Sequence, residues 1–220
     1  MGLPERKKVV SGFACLAVLL AAASLPGHVV AGPAEDYAAG LAAYRSGDIV
    51  ASMAMLKRAA DAGSAPAQAL YGDILDRAEL NDEAMRYLRM AADQGNADGQ
   101  YGLAVMYLGG EGVAKNPAEA MRWLQMAAAQ NHALAINALV QACISNDPIC
   151  DPATRTSAET RALIFRAAES GYLPAIDALA KAFHTGAFGV AVNAADATTW
   201  AAKAAAVRGE RAGGTPRTKP

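Results

Sequence analysis

Residues 100–131, QYGLAVMYLGGEGVAKNPAEAMRWLQMAAAQN, contain two amphipathic segments separated by a glycine-rich loop at residues 109–112. Before the loop, Leu103, Ala104 and Tyr107 recur on one face of a helix. Glycine disfavours the interior of a helix because its backbone loses the most conformational freedom there. The three glycines of the loop therefore predict the end of the first helix.

The second segment carries the signals that start a helix. Asn116 can accept a backbone N–H as the N-cap, Pro117 suits the first helical position, and Glu119 occupies the third. Trp123 and Ala127 then lie on one apolar face. Two short amphipathic helices cannot bury their apolar faces alone, so this hairpin predicts packing against neighbouring copies of itself.

Copies of the pattern recur along the chain, each with an Ala-Ala pair in its second helix. The pairs begin at Ala59, Ala91, Ala127, Ala167 and Ala204. Successive pairs are 32, 36, 40 and 37 residues apart. A glycine closes four copies, at Gly63, Gly95, Gly171 and Gly209, and Asn131 takes this place in the third copy. A repeat of this length predicts stacked helix pairs rather than one globular core.

We predict an all-α fold of about five helix pairs. The pairs are expected at 35–46 with 49–62, 65–77 with 82–94, 97–108 with 117–130, 133–144 with 157–170, and 173–185 with 194–208. In the fourth pair, Thr156 and Glu159 are interpreted as a capping box. Many core positions are alanine, so the larger side chains should provide most of the buried area; these are Tyr44, Tyr87, Tyr107, Trp123, Leu163, Phe183 and Trp200. Residues 210–220 have no apolar face and are predicted to form a disordered tail.

The third copy resembles the Sel-1-like repeat (SLR), a relative of the tetratricopeptide repeat. The family pattern is roughly A-x-A-Q-Y-x-L-G-x-x-Y-x-x-G-x-G-V followed by A-x-x-W-x-x-x-A-A-x-x-G, and residues 100–128 match it nearly throughout. The second copy lacks the G-x-G-V loop, the fourth has Cys143 in place of the tyrosine, and the first, around Tyr44, is more similar to a tetratricopeptide repeat. The resemblance covers residues 34–209.

This resemblance implies a right-handed α/α superhelical solenoid and a non-enzymatic adaptor or regulator in the bacterial cell envelope. Exopolysaccharide regulation, envelope signalling and scaffolding of an envelope machine all remain open. Because some secreted SLR proteins are described as β-lactamases, the alternative is a secreted cell-wall or β-lactam hydrolase.

The N-terminus has the features of an export signal. Three basic residues at 6–8 precede an uncharged apolar run at residues 13–25. This run is shorter than the roughly 20 residues that a spanning helix needs. Small residues in Val29-Val30-Ala31 predict cleavage after Ala31, so residues 1–31 would be a signal peptide and the protein periplasmic or secreted. The alternative is an uncleaved anchor that begins near Val9, which would be the chain's contact with the membrane.

Charge and motifs argue against several function classes. The leader holds three of the 20 basic and one of the 21 acidic residues, which leaves a mature charge near −3 and no basic footprint for nucleic acid. The sequence has no S-x-x-K, K-T-G, H-E-x-x-H or G-x-x-x-x-G-K-[ST] pattern. His132 and His184 have no second ligand at metal spacing. We therefore expect no catalytic residues, no cofactor and no metal, and we interpret the loop at residues 109–112 as a turn.

Cys143 and Cys150 are expected to form a disulfide. Removal of the leader would take Cys15 and leave this even pair. The intervening ISNDPI favours a turn that brings the two ends together, and an oxidising compartment would preserve the bond. A redox switch or a metal pair is the functional alternative, although the pair lacks C-x-x-C spacing. In a further alternative, Cys143 is a buried apolar residue and Cys150 is free.

The first helices of a solenoid line its concave surface, where a protein or peptide ligand would bind. By repeat register, the residues outside the core pattern on these helices are Gln68, Ala69, Asp73, Gln100, Tyr101, Val105, Met106, Asn137, Gln141, Asp177 and Lys181. We expect Tyr101 and Met106 to make the main contacts, because large, adaptable apolar side chains carry most interface energy. The alternatives are that both pack against a neighbouring repeat and that the glutamines are structural.

Overall fold

The computed structural model of the chain describes residues 32–212, and its regular elements in that range are all helical. The helices are α1 Pro33–Ser46, α2 Ile49–Asp61, α3 Ala65–Arg77, α4 Asn81–Asp93, α5 Ala97–Gly109, α6 Pro117–Ala129, α7 Ala133–Ile144, α8 Pro152–Thr156, α9 Ala158–Glu169, α10 Leu173–Thr185 and α11 Ala194–Ala212, with a 3-10 turn at Ala187–Gly189. They pack as the pairs α1–α2, α3–α4, α5–α6, α7–α9 and α10–α11. The pairs form the predicted right-handed α/α solenoid.

The Ala-Ala pairs lie where one helix pair stacks on the next. The eight alanines of the first four pairs, at 59–60, 91–92, 127–128 and 167–168, are each at most 2 % exposed. A Cβ atom placed on Gly99 of α5 would lie 2.5 Å from the Cβ of Ala91 in α4. The two helices therefore approach so closely that a side chain at Gly99 would have no room.

Larger side chains fill the space beside these alanines. Tyr87, Tyr107 and Trp123 are buried as predicted, while Tyr44, Leu163, Phe183 and Trp200 are partly buried. The Tyr87 hydroxyl also donates a 2.6 Å hydrogen bond to Oδ1 of Asp61, which belongs to the preceding helix pair. A buried aromatic side chain thus adds a directional contact between neighbouring pairs.

The buried glutamines Gln68 and Gln100 make further polar contacts within and between pairs. Nε2 of Gln68 donates to the backbone oxygen of Ala60 at 3.0 Å, and Nε2 of Gln94 donates to Oε1 of Gln68 at 2.7 Å. In the next unit, Nε2 of Gln130 donates to Oε1 of Gln100 at 2.9 Å. Because a buried amide without partners would be costly, the bond from Gln68 to Ala60 fixes how the first two pairs face each other, and the other two bonds connect the two helices of a single pair.

The start of the fourth pair's second helix differs from the prediction by one residue. The helix α9 is capped by Ser157, whose hydroxyl accepts the Thr160 N–H at 3.0 Å. The proposed capping box is wrong because Thr156 ends α8, a helix of five residues that the sequence analysis missed. Asp151 caps α8 by accepting two backbone N–H groups, at 2.8 and 3.0 Å. The cap predicted at Asn116 is confirmed, since its side chain accepts the Glu119 N–H.

Most of the predicted closing residues adopt the left-handed conformation that ends a helix. The φ angles of Gly63, Gly95 and Gly171 lie between 83° and 92°, and Asn131 takes a φ of 66° in the same role. Gly209 is an exception, because α11 continues through it to Ala212. The helix thus extends three residues into the predicted tail. The rest of that tail, residues 213–220, and the predicted signal peptide, residues 1–31, lie outside the described residues.

The predicted disulfide is confirmed. Cys143, in the last turn of α7, is bonded to Cys150 with a Cα–Cα distance of 5.1 Å, and both residues are buried. Nη2 of Arg155 donates to the backbone oxygen of Cys150 at 2.8 Å and so connects the closed loop to α8. In the chain-entropy model, closing a loop of about eight residues stabilises the fold by roughly 2–3 kcal/mol.

Across residues 32–212, the structure has no helix whose length and hydrophobicity would allow it to cross a membrane.

The loop after α5 generates a prediction at Gly112. Its φ is +63°, and an added Cβ would lie 2.7 Å from the backbone oxygen of Asn81 in the preceding pair. We expect Gly112→Ala to lower the free energy of unfolding by roughly 2–3 kcal/mol, because backbone atoms must move. The control is Gly63→Ala, at a φ of +92° with nothing within 4 Å, which should cost about 1 kcal/mol.

Urea unfolding of both variants measures the difference. Backbone conformation alone would make Gly63→Ala the worse substitution, since its φ lies farther from the left-handed minimum. If Gly112→Ala lowers the free energy of unfolding no more than Gly63→Ala does, the contact with Asn81 does not constrain the loop.

Candidate binding groove

A cleft of about 610 Å³ runs across the first helices of four successive pairs, α1, α3, α5 and α7. We call it the first-helix groove, and it is lined by Tyr37, Leu41, Pro66, Ala69, Leu70, Asp73, Asp76, Arg77, Leu88, Asp98, Tyr101, Gly102, Val105, His132 and Leu134. The stacking of the helix pairs brings these residues together, although they span nearly 100 positions of sequence. Such an extended surface of aligned helices is the usual binding face of a solenoid.

The groove includes part of the predicted set. Asp73, Tyr101 and Val105 line it together, and Ala69 lies beside them. Tyr101 and Val105 are one helical turn apart on α5 and are both partly exposed. These residues remain candidates for contact with a partner.

Three predicted groove residues are buried instead. Gln68 and Met106 are 0 % exposed and Gln100 is 1 % exposed, so they offer no surface to a partner. The glutamines are bound to neighbouring helices, as described above. Met106 is buried because α5 packs against α3, α4 and α6, which leaves only a narrow strip of the helix uncovered. The prediction that Met106 contacts a partner is therefore wrong, and the alternative that it packs in the core is confirmed.

The remaining predicted residues lie farther along the solenoid, outside the groove. Oε1 of Gln141 accepts the Tyr172 hydroxyl at 2.9 Å. The carboxylate of Asp177 is held by Nη2 of Arg208 at 2.5 and 2.6 Å. Lys181 is exposed on α10, and the partly buried Asn137 lies on α7. The structure thus does not unite the whole predicted set into one site.

An aromatic wall forms where α5 meets the start of α7. The ring of Tyr101 stacks on the ring of His132, with centroids 4.9 Å apart and an interplanar angle of 29°. Nε2 of His132 lies 3.1 Å from Oδ1 of Asp98, and Nδ1 accepts the Ala135 N–H at 3.2 Å. Since Nδ1 accepts, Nε2 carries the proton and donates to Asp98. His132 is therefore held on both sides, and it orients Tyr101.

Asp76 is an unusual charged group in the groove. Its Oδ1 atom is buried and has no hydrogen-bond partner within residues 32–212. Burial raises the pKa of Asp76, and the nearby carboxylates of Glu111 and Asp73 raise it further. Asp73 itself is paired with Nε of Arg77 at 2.9 Å. The groove thus contains a carboxyl group whose ionised form is poorly compensated.

Sequence reasoning missed Asp76, Asp98 and His132 as groove residues. Asp76 follows Asp73 by three positions, so the spacing of neighbours on one helix face could have identified it. The pairing of Asp98 with His132 spans 34 positions and depends on how one helix pair stacks on the next. Local sequence carries no signal for such a contact.

A second cleft, of about 660 Å³, lies between α6, α7 and α9. We call it the disulfide-side cleft, and its lining includes Met121, Leu139, Val140, Cys143 and Leu163. The pair α7–α9 packs less closely than the other pairs, because the closed loop and α8 are inserted between its helices. None of the predicted partner-binding residues lies there.

Within residues 32–212, no group of three or more His, Cys, Asp or Glu side chains is arranged to hold a metal ion.

The environment of Asp76 generates a prediction about stability and pH. A raised pKa means that the folded protein favours the neutral form of the Asp76 carboxyl. The contribution of Asp76 to the free energy of unfolding is therefore fully present below the ordinary pKa of 3.8 and is lost as pH rises through the raised pKa. We expect Asp76→Asn to stabilise the protein at pH 7 by about 1 kcal/mol, or ~2–4 °C in Tm. The gain should shrink as pH falls towards 4.

Thermal unfolding between pH 4 and pH 7 measures this effect. The control is Asp73→Asn, whose carboxylate is partly exposed. This change should bring no net stabilisation, because the relieved repulsion of Asp76 is offset by the lost pair with Arg77. A loss of stability for Asp76→Asn at pH 7 would contradict the assignment of an uncompensated charge.

Comparison with known proteins places these repeats in a family. The model of the Sel1 repeat matches residues 37–64, 65–96, 97–132 and 174–206. The segment between the third and fourth matches, residues 133–173, is the fourth unit, which carries α8 and the disulfide. No curated protein sequence matches the chain.

Solved structures share the fold. A protective antigen of uropathogenic Escherichia coli with an SLR fold has a TM-score of 0.67 and 23 % identity over 79 % of this chain, which spans 38 % of that protein. A Sel1 repeat protein from Oxalobacter formigenes has a TM-score of 0.66 and 27 % identity, with 78 % of this chain and 68 % of that one covered. One from Klebsiella pneumoniae subsp. pneumoniae has a TM-score of 0.52 and 18 % identity, with 81 % and 88 % covered.

Sel1 repeat proteins generally mediate protein–protein interactions. Four matched repeats that cover more than half of the 220 residues, together with the shared solenoid, show that the chain belongs to the Sel1 repeat family.

Proposed function

We propose that this chain is a non-enzymatic, exported interaction module of the bacterial cell envelope, which binds a protein or peptide in the first-helix groove. The observation that carries this proposal is the aromatic wall. Tyr101 is partly exposed, is held by His132, and lies among residues of several successive helix pairs. An oriented aromatic side chain on a rigid surface is the kind of residue that dominates binding energy in protein interfaces.

The groove also has the mixed surface that interfaces require. Leu70, Val105 and Leu134 supply apolar area, while Asp73 and Asp98 supply charge at the edges. Rigid helices carry all of these side chains, so little conformational entropy should be lost when a partner binds. Family members generally bind proteins, which is consistent with this use of the groove.

Two features support export. Residues 1–31 have the charge and hydrophobicity pattern of a cleavable leader. The bond between Cys143 and Cys150 is of a kind that forms and persists in oxidising compartments such as the bacterial periplasm. Exopolysaccharide regulation, envelope signalling and scaffolding of an envelope machine are all compatible with a secreted interaction module.

The hydrolase alternative gains no support from the groove. Within the described residues, both ring nitrogens of His132 are occupied, one by Asp98 and one by the Ala135 N–H. A general base must have a ring nitrogen within reach of the proton that it removes. His132 is therefore committed to positioning Tyr101.

A capture experiment tests the groove. We expect Tyr101→Ala with Val105→Ala to lower the amount of partner captured from envelope extract at least about tenfold, since removing a central anchor typically costs more than about 1.4 kcal/mol. The matched control is Met90→Ala with Met126→Ala, which removes two exposed apolar side chains from the second helices α4 and α6. That variant should capture as much partner as the unmodified protein.

Thermal unfolding of both variants checks that the repeats remain folded. The groove variant should lose only a few degrees in Tm, because the stack with His132 contributes about 0.5–1.5 kcal/mol. Full capture by the folded groove variant would contradict the proposed function.

Export has its own test. Protein recovered from the periplasm or the medium should begin at Gly32 on N-terminal sequencing. Its unreduced mass should not change on alkylation, because both remaining cysteines are bonded. An intact Met1 in a cytosolic fraction, with two alkylated thiols at Cys143 and Cys150, would contradict export.

A further inference from the structure

We infer that the first-helix groove selects polypeptide segments in which a lysine or arginine stands among hydrophobic residues. This inference rests on the proposed function, since it assumes that the groove is the binding face, and it adds the chemistry of the partner.

The charges that line the groove are mainly negative. Asp73, Asp76 and Asp98 all line it, and Arg77 is the only lysine or arginine among the lining residues of the described chain. Arg77 is engaged, because its Nε donates to Asp73 at 2.9 Å. Asp76 and Asp98 therefore line the groove without an ion pair to a lysine or arginine: the ring of His132 donates a hydrogen bond to Asp98, and Arg77 offsets only part of the repulsion at Asp76.

Asp76 is the groove residue that a cation from a partner would stabilise most. Its buried Oδ1 accepts no hydrogen bond within residues 32–212. An ammonium or guanidinium group that a partner placed beside the partly exposed Asp76 side chain would offset the repulsion from Glu111 and Asp73. A glutamate or aspartate in the same place would instead add a third carboxylate to a site that already disfavours ionisation.

The aromatic and aliphatic side chains of the groove match the hydrophobic part of such a segment. Tyr101, stacked on His132, presents an aromatic face, and Leu134 is 55 % exposed at the end of the groove. The hydrocarbon stem of lysine or arginine packs well on surfaces of this kind while its charged end reaches a carboxylate. Hydrophobic neighbours in the same segment would cover Leu70 and Val105.

Three synthetic peptides of equal length test the inference. All three contain leucine and phenylalanine at the same positions, and they differ in carrying lysine, glutamine or glutamate at the positions between them. Each peptide has a fluorescent label, and its affinity for the purified protein is measured by fluorescence anisotropy. We expect the lysine peptide to bind at least about tenfold more tightly than the glutamine peptide, and the glutamate peptide to bind more weakly than both.

Matched variants separate a groove effect from general charge attraction. Asp76→Asn with Asp98→Asn should lower the ratio of lysine-peptide to glutamine-peptide affinity about tenfold, and this ratio is the readout because Asp98 also holds His132 beside Tyr101. Asp82→Asn with Glu83→Gln makes the same change in net charge at exposed positions of α4, outside the groove, and should leave both affinities unchanged. Tyr101→Ala should weaken both peptides.

Each other result overturns the inference. Equal binding of the lysine and glutamine peptides, both lost in Tyr101→Ala, would retain the groove as the binding face but remove its charge selectivity. Equal loss in the two charge variants would indicate nonspecific attraction. Tightest binding of the glutamate peptide, or binding of none of the three, would also refute it, while partner capture from extract would still decide the proposed function separately. Thermal unfolding of both charge variants separates a loss of binding from a loss of fold.

Discussion

The close approach of each helix pair to the next is the constraint on which the rest of the structure depends. Alanine and glycine occupy the stacking surface, and the contact of Gly99 with Ala91 shows how little space separates α5 from α4. Small side chains bury little apolar area, so stacking alone fixes the relative position of the pairs only weakly. The polar contacts of Tyr87 with Asp61 and of Gln68 with Ala60 supply the direction that the alanines lack.

This stacking also decides which side chains are left for binding. Gln100 and Met106 are buried against neighbouring helices, whereas Tyr101 and Val105 lie on the uncovered strip of α5. Because successive first helices are held in line, their uncovered strips join into one groove. The same geometry places Asp98 beside His132 and leaves Asp76 without a full set of partners. The stacking of helix pairs thus determines both the position of the helices and the side chains that line the groove.

The sequence predicted the helices well, because periodicity, caps and turn residues are local signals. The Ala-Ala spacing located the pairs, and Cys143 with Cys150 could be matched from their spacing and the predicted compartment. Helix α8 was missed because five residues are too few to show a helical period. That omission also shifted the cap of α9 from Ser157 to Thr156.

The groove was harder to predict for a different reason. Repeat register shows that Val105 and Met106 both lie outside the core pattern, but it does not show which one the next helix covers. Burial of Met106 follows from the packing of α5 against three other helices, and this is a tertiary property. The stack of Tyr101 on His132 likewise joins side chains from two helix pairs, since His132 caps α7.

In the proposed function, a partner binds on the first helices, and the second helices support them. Amide NMR of the purified protein, titrated with the lysine-containing hydrophobic peptide, tests this most directly. We expect shift changes to concentrate in α3 and α5 and around His132, with α4, α6 and the disulfide-side cleft little affected. Changes concentrated on the second helices or in the disulfide-side cleft would contradict it.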